Sequence, residues 1–533
     1  MHGEECAQMV WKPVHLVIAA IYIAGLIVIG LVTGRGKRDS NQYLNATAAI
    51  PMWVCALACI AANCGSLDVI AMVALGAQYG ITACHFYWIG AIPALLVVAF
   101  WLLPAYKRSG APTILDFIGR HYGEQTQSLV AVCMAAMMML IAGVSLSALA
   151  QLTAAFLGWS FLKAVMVAAP VVLFYTWIGG FRATVYSELL HFTMVLAAIV
   201  PLLLLMVAER GGIHQFLAAI PGSRLHAWKT VPLLAHLAPM DRIGLVFGLG
   251  LVLSFSYWGT DFVQMQRALA VRRAQDAPFI PLSIGAAKLV FALLIVLPGV
   301  AAPFVLSHNA LDRNWNSALP ELMLHYYRPV WLVIGFMGLA ASLVSTFSNN
   351  IAGFTSAWVQ GIYQRWIRPR ARDAHYTRVS RLTNAAAVVL SICAASFALH
   401  FSSLMDYIQL VLSTFNAPLF ALVFLAVAFP GRASRGGSAG FLTGLFVAIF
   451  HQLLVLSGLL HYGSQMAANF YGAILGFSAA LAASAAVAKL RPVAPASHET
   501  KAIVPWPTRV RWTALTAGGG IGVLFLAFNW IFW

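Results

Sequence analysis

Fourteen apolar runs recur along the chain, each close to the roughly 20 residues that cross a hydrocarbon core as α-helix. No other feature restricts the fold as strongly, because in lipid every backbone N–H and C=O must find a partner within the protein. The runs occupy residues 13–33, 48–75, 84–105, 129–157, 161–178, 185–207, 243–263, 284–306, 330–363, 383–399, 405–429, 441–460, 470–487 and 512–533. Composition agrees: 61% of residues are hydrophobic and 9% charged, against roughly 25% charged in an ordinary soluble domain. The expected fold is an all-α integral membrane protein of about 14 transmembrane helices.

Charge sets the orientation. The first run is followed, not preceded, by basic residues in "GRGKRDS", the reverse of a secretory leader, so it reads as a retained span with the N-terminus outside. The segments that then face the cytoplasm hold 23 of the 32 Lys and Arg, the outer ones 8, and Lys288 alone falls inside a span. The positive-inside rule therefore favours fourteen spans with both termini outside, in the plasma (inner) membrane. The net charge of +16 sits on short loops beside anionic headgroups, so the partner it implies is membrane lipid, with no nucleic acid and no protein partner expected. Seven cysteines show no metal-type pairing and six lie in or beside spans, as small buried hydrophobes do.

Two runs are interrupted. "ALACIAANCGSLDVIAMVALG", residues 56–76, places Asn63, Gly65, Ser66 and Asp68 in its middle; "GLGLVLSFSYWGTDFVQMQRALA", 248–270, does the same with Ser254, Ser256, Tyr257, Gly259, Thr260 and Asp261. A helix break survives at membrane depth only where it is buried in protein or lines a watery cavity, and transporters built from inverted repeats place such breaks at matching positions in each half. The breaks open the second and seventh runs, an offset of five helices. The alternative is a polar patch packed between helices.

At these residues the chain resembles the sodium/solute symporters, the family of the sodium/glucose cotransporters and the bacterial proline and galactose carriers. "YWGTDFVQMQRALA" (257–270) closely matches the family signature, including its Gln266–Arg267 pair. "FYTWIGGFRATVYSELLHF" (174–192), "AAKLVFALLIVLPGVAA" (286–302), "LVSTFSNNIAGFTSAWVQGIYQRWI" (343–367) and "MDYIQLVLSTFNAPLF" (405–420) are similar to its fifth, seventh, eighth and tenth core helices. The resemblance covers roughly residues 13–460. It implies a LeuT-type 5+5 inverted repeat with one N-terminal and three C-terminal extra helices. The divisions are then 1–47 (outer segment, first helix and cytoplasmic loop), 48–208 (first repeat), 209–241 (extracellular loop), 242–429 (second repeat) and 430–533 (last three helices).

Site residues follow from the resemblance. The family's common sodium site maps to backbone carbonyls of Ala61 and Cys64 with Ser342, Ser345 and Thr346; a hard cation wants several oxygen ligands, and an unwound helix facing adjacent hydroxyls supplies them. A second cation site found in some members maps to Glu188, Ser348 and Asn349, although Glu replaces the usual Asp and Asn a usual Ser. Glu188 fits a cytoplasmic ion-exit role or an ion pair with Arg182 equally well, since a carboxylate in a span needs a partner or water. Substrate-facing candidates are Asn63, Asp68, Tyr87, Tyr257, Asp261, Lys288 and Gln409. Lys288, Asn63 and Gln409 match sugar-contacting positions, whereas Tyr87 stands where such members carry an acid and Asp68 where they carry an amide.

The expected function is sodium-coupled import of a small organic solute, a sugar or polyol favoured, by alternating access. The same fold carrying an amino acid or monocarboxylate, or coupled to protons, remains open; a zwitterion held between Lys288 and Asp68 is one form of it, and an internal pair that only shapes the cavity is the plain structural alternative. His191, one turn past Glu188, belongs to a proton relay or caps a hydrogen bond. His85 and His400 are expected to face headgroups, and most Trp and Tyr to anchor the interfaces. The sole cofactor expected is Na+, with no organic cofactor. No convergent nucleophile, base and oxyanion donors are visible, which excludes an enzyme; a transporter-like membrane sensor is the alternative from another class.

Overall fold

The computed structural model describes residues 51–111, 113–228, 240–269, 271–306, 314–401, 403–429, 436–490 and 508–533, with scattered positions between 17 and 32, and the regular structure there is helical. Among these residues, eleven helices are long and apolar enough to cross a membrane. They correspond to eleven of the fourteen expected runs. Runs 161–178 and 243–263 are represented by the shorter apolar helices Phe161–Pro170 and Gly244–Thr260, and run 13–33 lies largely outside the described residues.

The element order repeats. A broken crossing of α1 (Met52–Asn63) and α2 (Ser66–Tyr79) leads to α3 (Ile92–Ser109), a short α4 (Ile114–Tyr122), the long α5 (Glu124–Leu157) and α6 (Phe161–Glu209). A second broken crossing, α7 (Gly244–Thr260) and α8 (Phe262–Leu269), leads to α9 (Phe279–Val305), a short α10 (Ala318–Tyr326), the long α11 (Pro329–Ile367), α12 (Asp373–Ala398) and α13 (Leu404–Ala428). Outside the repeat lie α14 (Gly437–Leu456), α15 (Gln465–Leu490) and α16 (Thr508–Ile531).

Several boundaries shift from those expected from the sequence, α12 most, beginning at Asp373 rather than near 383, and two of the differences have a local structural reason. The third crossing starts at Ile92 rather than 84, because residues Gly80–Phe86 wind as a tight 3-10 turn that closes the C-terminal end of α2, and Pro93 opens α3. The turn expected at "GGFR" is helical backbone, so α6 runs unbroken where two spans were expected; no proline falls between Pro170 and Pro201 to interrupt it.

Helices α5, α6, α11 and α12 pack on one another, while α9 packs along α1 and α2, and α7 along α13 and α15. Between apolar helices in lipid, close backbone approach supplies the packing energy that the hydrophobic effect does not. Helices α2 and α9 cross at Gly76 and Gly299, where an added Cβ would lie 2.7 Å from the Val296 carbonyl oxygen and 2.2 Å from that of Val73. Helices α5 and α12 meet as tightly, a Cβ on Gly143 falling 2.5 Å from that of Ala394. The first of these crossings draws Asp68 on α2 toward Lys288 on α9.

Candidate functional site

Helix α1 ends at Asn63, and the chain passes through Cys64 and Gly65 before α2 begins at Ser66. Gly65 is extended (φ −78°, ψ −179°), a conformation open to any residue, so what requires glycine here is space. A Cβ would sit 3.0 Å from Ser342 Oγ, 3.3 Å from the Ala61 carbonyl oxygen and 3.7 Å from Thr346 Oγ1. Three oxygens thus converge on the break from two helices. The Ser66 amide donates to Ser342 Oγ at 2.9 Å, tying the break to α11. Thr346 Oγ1 donates to the Ser342 carbonyl at 3.0 Å, which leaves its lone pairs available. Ser345 Oγ is buried without a hydrogen-bond partner among the described residues, and Cys64 is fully buried in the break itself. Such a cradle, rich in hydroxyl and carbonyl oxygen, suits a hard monovalent cation. Gly65→Ala should lower sodium affinity about tenfold (~1.4 kcal/mol) while the protein stays folded, as read by the midpoint of a sodium titration of thermal stability.

The second break is built differently. Helix α7 ends at Thr260; Asp261 Oδ1 then accepts the Gln264 amide at 2.8 Å to start α8. Tyr106 Oη donates to the freed Gly259 carbonyl at 2.6 Å.

A cavity of about 190 Å³ lies between the breaks, and all seven substrate-facing candidates line it. Asp68 Oδ2 accepts both Tyr87 Oη at 2.5 Å and Lys288 Nζ at 3.2 Å, and the ammonium also rests 3.9 Å from the centre of the Tyr87 ring. Across the cavity, Asn63 Nδ2 donates to Tyr257 Oη at 2.9 Å. Three buried acceptors, Asn63 Oδ1, Gln264 Oε1 and Gln409 Oε1, have no donor among the described residues. Met72, Met137, Met138, Leu253 and Trp258 complete the walls. Sequence reasoning misses these, although the methionine cluster in "MAAMMML" (134–140) is a visible signal for an adaptable surface.

Glu188 is held by nitrogen donors. Arg267 Nε donates to its Oε2 at 3.1 Å, Arg267 Nη2 pairs with its Oε1, and Asn349 Nδ2 donates to Oε1 at 2.6 Å. Both side chains of the ion pair are 2% exposed. Arg267, a cytoplasmic loop charge by its place in the sequence, is instead buried, because its fork is matched by a carboxylate at the same depth. The side chain of Arg182 lies outside the described residues. Ser348 is buried one turn beyond Ser345. His191 is buried with no partner on Nδ1, 6.0 Å from the ring of Tyr22. His400 is exposed at the end of α12, as expected. His85 is not: it is fully buried, 3.2 Å from the Ala227 carbonyl, because the loop after α6 folds over it and packs Trp228 against its ring.

A family model described as the sodium:solute symporter family matches residues 43–444. The chain belongs to that family. The symporter is similar to a sodium/glucose cotransporter of Vibrio parahaemolyticus, with 23% identity over 83% of this chain and 86% of that one. It is 25% identical to sodium/myo-inositol cotransporter 2 of Rattus norvegicus, over 85% of this chain and 72% of the relative. Its fold matches a solved structure of a Na+-coupled sialic acid symporter in a substrate-bound outward-open state, with a TM-score of 0.74 and 15% identity over 91% of this chain and 99% of that one. The symporter is a multi-pass membrane transporter and not an enzyme, and it moves a solute together with sodium.

Proposed function

We propose that the symporter imports a neutral, hydroxyl-rich solute, a sugar or polyol, together with one sodium ion by alternating access. The carrying observation is the set of unmet acceptors at Asn63, Gln264 and Gln409 around a cavity whose lysine ammonium is already bound by Asp68. A buried acceptor without a donor costs about 1–3 kcal/mol, so a solute that brings several O–H donors recovers that cost on binding. A carboxylate would meet acceptor oxygens at all three of these groups. A zwitterion would have to part Lys288 from Asp68, which now meet at 3.2 Å. Relatives named for glucose and myo-inositol support the same class.

One ion per cycle follows from Glu188. A guanidinium and a carboxamide already satisfy its oxygens, and a second cation there would be repelled by Arg267. The same bonds make Glu188 a poor relay toward His191, which favours sodium over protons. At the common site sodium would bridge the Ala61 carbonyl on α1 and hydroxyls on α11, holding the helices of the two breaks in one position against α5, α6, α11 and α12. Solute would complete that position, and both would leave as the breaks rock inward. One charge crossing 100 mV supplies about 2.3 kcal/mol, enough for a gradient of roughly fortyfold.

The test is a thermal-shift screen of the purified protein with sugars, polyols, amino acids and carboxylates, in sodium or potassium. A polyhydroxyl solute that stabilises only in sodium is the expected result; stabilisation by a carboxylate, or equally in both cations, overturns it. Asp68→Asn should weaken that solute's binding about tenfold or more, since it releases Lys288 and removes an acceptor. The response to sodium alone should persist.

A further inference from the structure

Helix α16 lies outside the repeat, yet its C-terminal end packs on Trp88, directly behind the cavity-lining residue Tyr87. Phe528 stacks on Trp88 with ring centres 5.9 Å apart and planes within 7°, and Phe532 covers the same indole at 5.8 Å. The Ala227 amide donates to the Phe532 carbonyl at 2.8 Å, and Trp228 meets Trp533 at 6.0 Å. The loop after α6 is fastened on its other side as well: Arg224 Nη2 donates to the Gly76 and Ala77 carbonyls at 3.0 and 2.6 Å, and Thr82 Oγ1 to that of Ala227 at 2.9 Å. Trp88 is fully buried. The residue before it, Tyr87, bonds Asp68 and covers the Lys288 ammonium.

We infer that Phe528 and Phe532 are positioning residues for the solute site: the end of α16 presses on Trp88 and thereby holds Tyr87 over the Asp68–Lys288 pair. Opposite them, Ser254 Oγ and Trp258 Nε1 donate to the Gly90 carbonyl at 2.7 and 3.2 Å, so segment 80–91 is gripped between α7 and α16. The inference rests on reading Asp68, Tyr87 and Lys288 as solute-facing groups.

The experiment measures acylation of lysines in the purified full chain by an amine-reactive ester, with peptide mass spectrometry comparing Lys288 with the half-buried Lys107. Phe528→Ala removes a ring pair, each worth about 0.5–1.5 kcal/mol, and should raise relative Lys288 labelling up to about tenfold. Phe528→Tyr, which restores the ring, should return it to the wild-type value. A general loosening would raise labelling at both lysines, and that result overturns the inference, as does unchanged Lys288 labelling in a folded Phe528→Ala variant. If that variant does not fold, Phe532→Leu carries the same expectation. No solute enters the measurement, so its failure is distinct from failure of the solute screen.

Discussion

Arg267→Met is expected to destabilise the folded protein by roughly 3–5 kcal/mol, because it strands the buried Glu188 carboxylate without its cation. The Asn349 carboxamide would still donate to it. Glu188→Gln should be destabilising for the converse reason, while Arg267→Met combined with Glu188→Gln should recover much of the loss, since replacing both members of a buried pair removes the uncompensated charge. Thermal unfolding of the three variants in one detergent checks this. Single variants that unfold with the wild type would mean that the pair is not closed in the membrane-embedded protein, and Glu188 would then be open to a second cation.

Ser345→Ala with Thr346→Ala should abolish the response to sodium and leave the fold in place. Neither hydroxyl holds two elements together: Ser345 Oγ has no partner among the described residues, and Thr346 Oγ1 bonds a carbonyl of its own helix. Sodium at about 100 times its Kd stabilises a one-site protein by about 2.7 kcal/mol, and the double variant should show none of this, nor any sodium-driven uptake. A sodium response retained at the wild-type concentration would move the ion elsewhere. The contrast with Asp68→Asn, which should keep the sodium response and lose solute affinity, separates the two sites.

How far the sequence reveals these features depends on whether they are local. Both helix breaks are legible because glycine and polar residues in the middle of an apolar run are costly at membrane depth unless the helix opens there. The seven cavity residues are legible through the resemblance; six sit at a break or on a recognisable core helix, while Tyr87 lies in the turn that precedes α3. Arg267 is misplaced by sequence alone because its partner lies 79 residues away and a basic residue near a span end normally reads as a loop charge. His85 is misplaced for a similar reason: what buries it is a loop some 140 residues further on, whose course carries no periodic signal. The unmet acceptors around the cavity cannot be read at all, because which amide hydrogens are used depends on neighbours that only the fold supplies.

The crossing of α2 and α9 bears on how motion in this symporter can be measured. Where two backbones approach with no room for a side chain between them, as at Gly76 and Gly299, the two helices are expected to move as one body. Spin labels on these two helices near the crossing would therefore serve as a fixed ruler, their separation unchanged by sodium or solute. A label pair joining either helix to α5 or α12 would carry the whole signal of the proposed rocking.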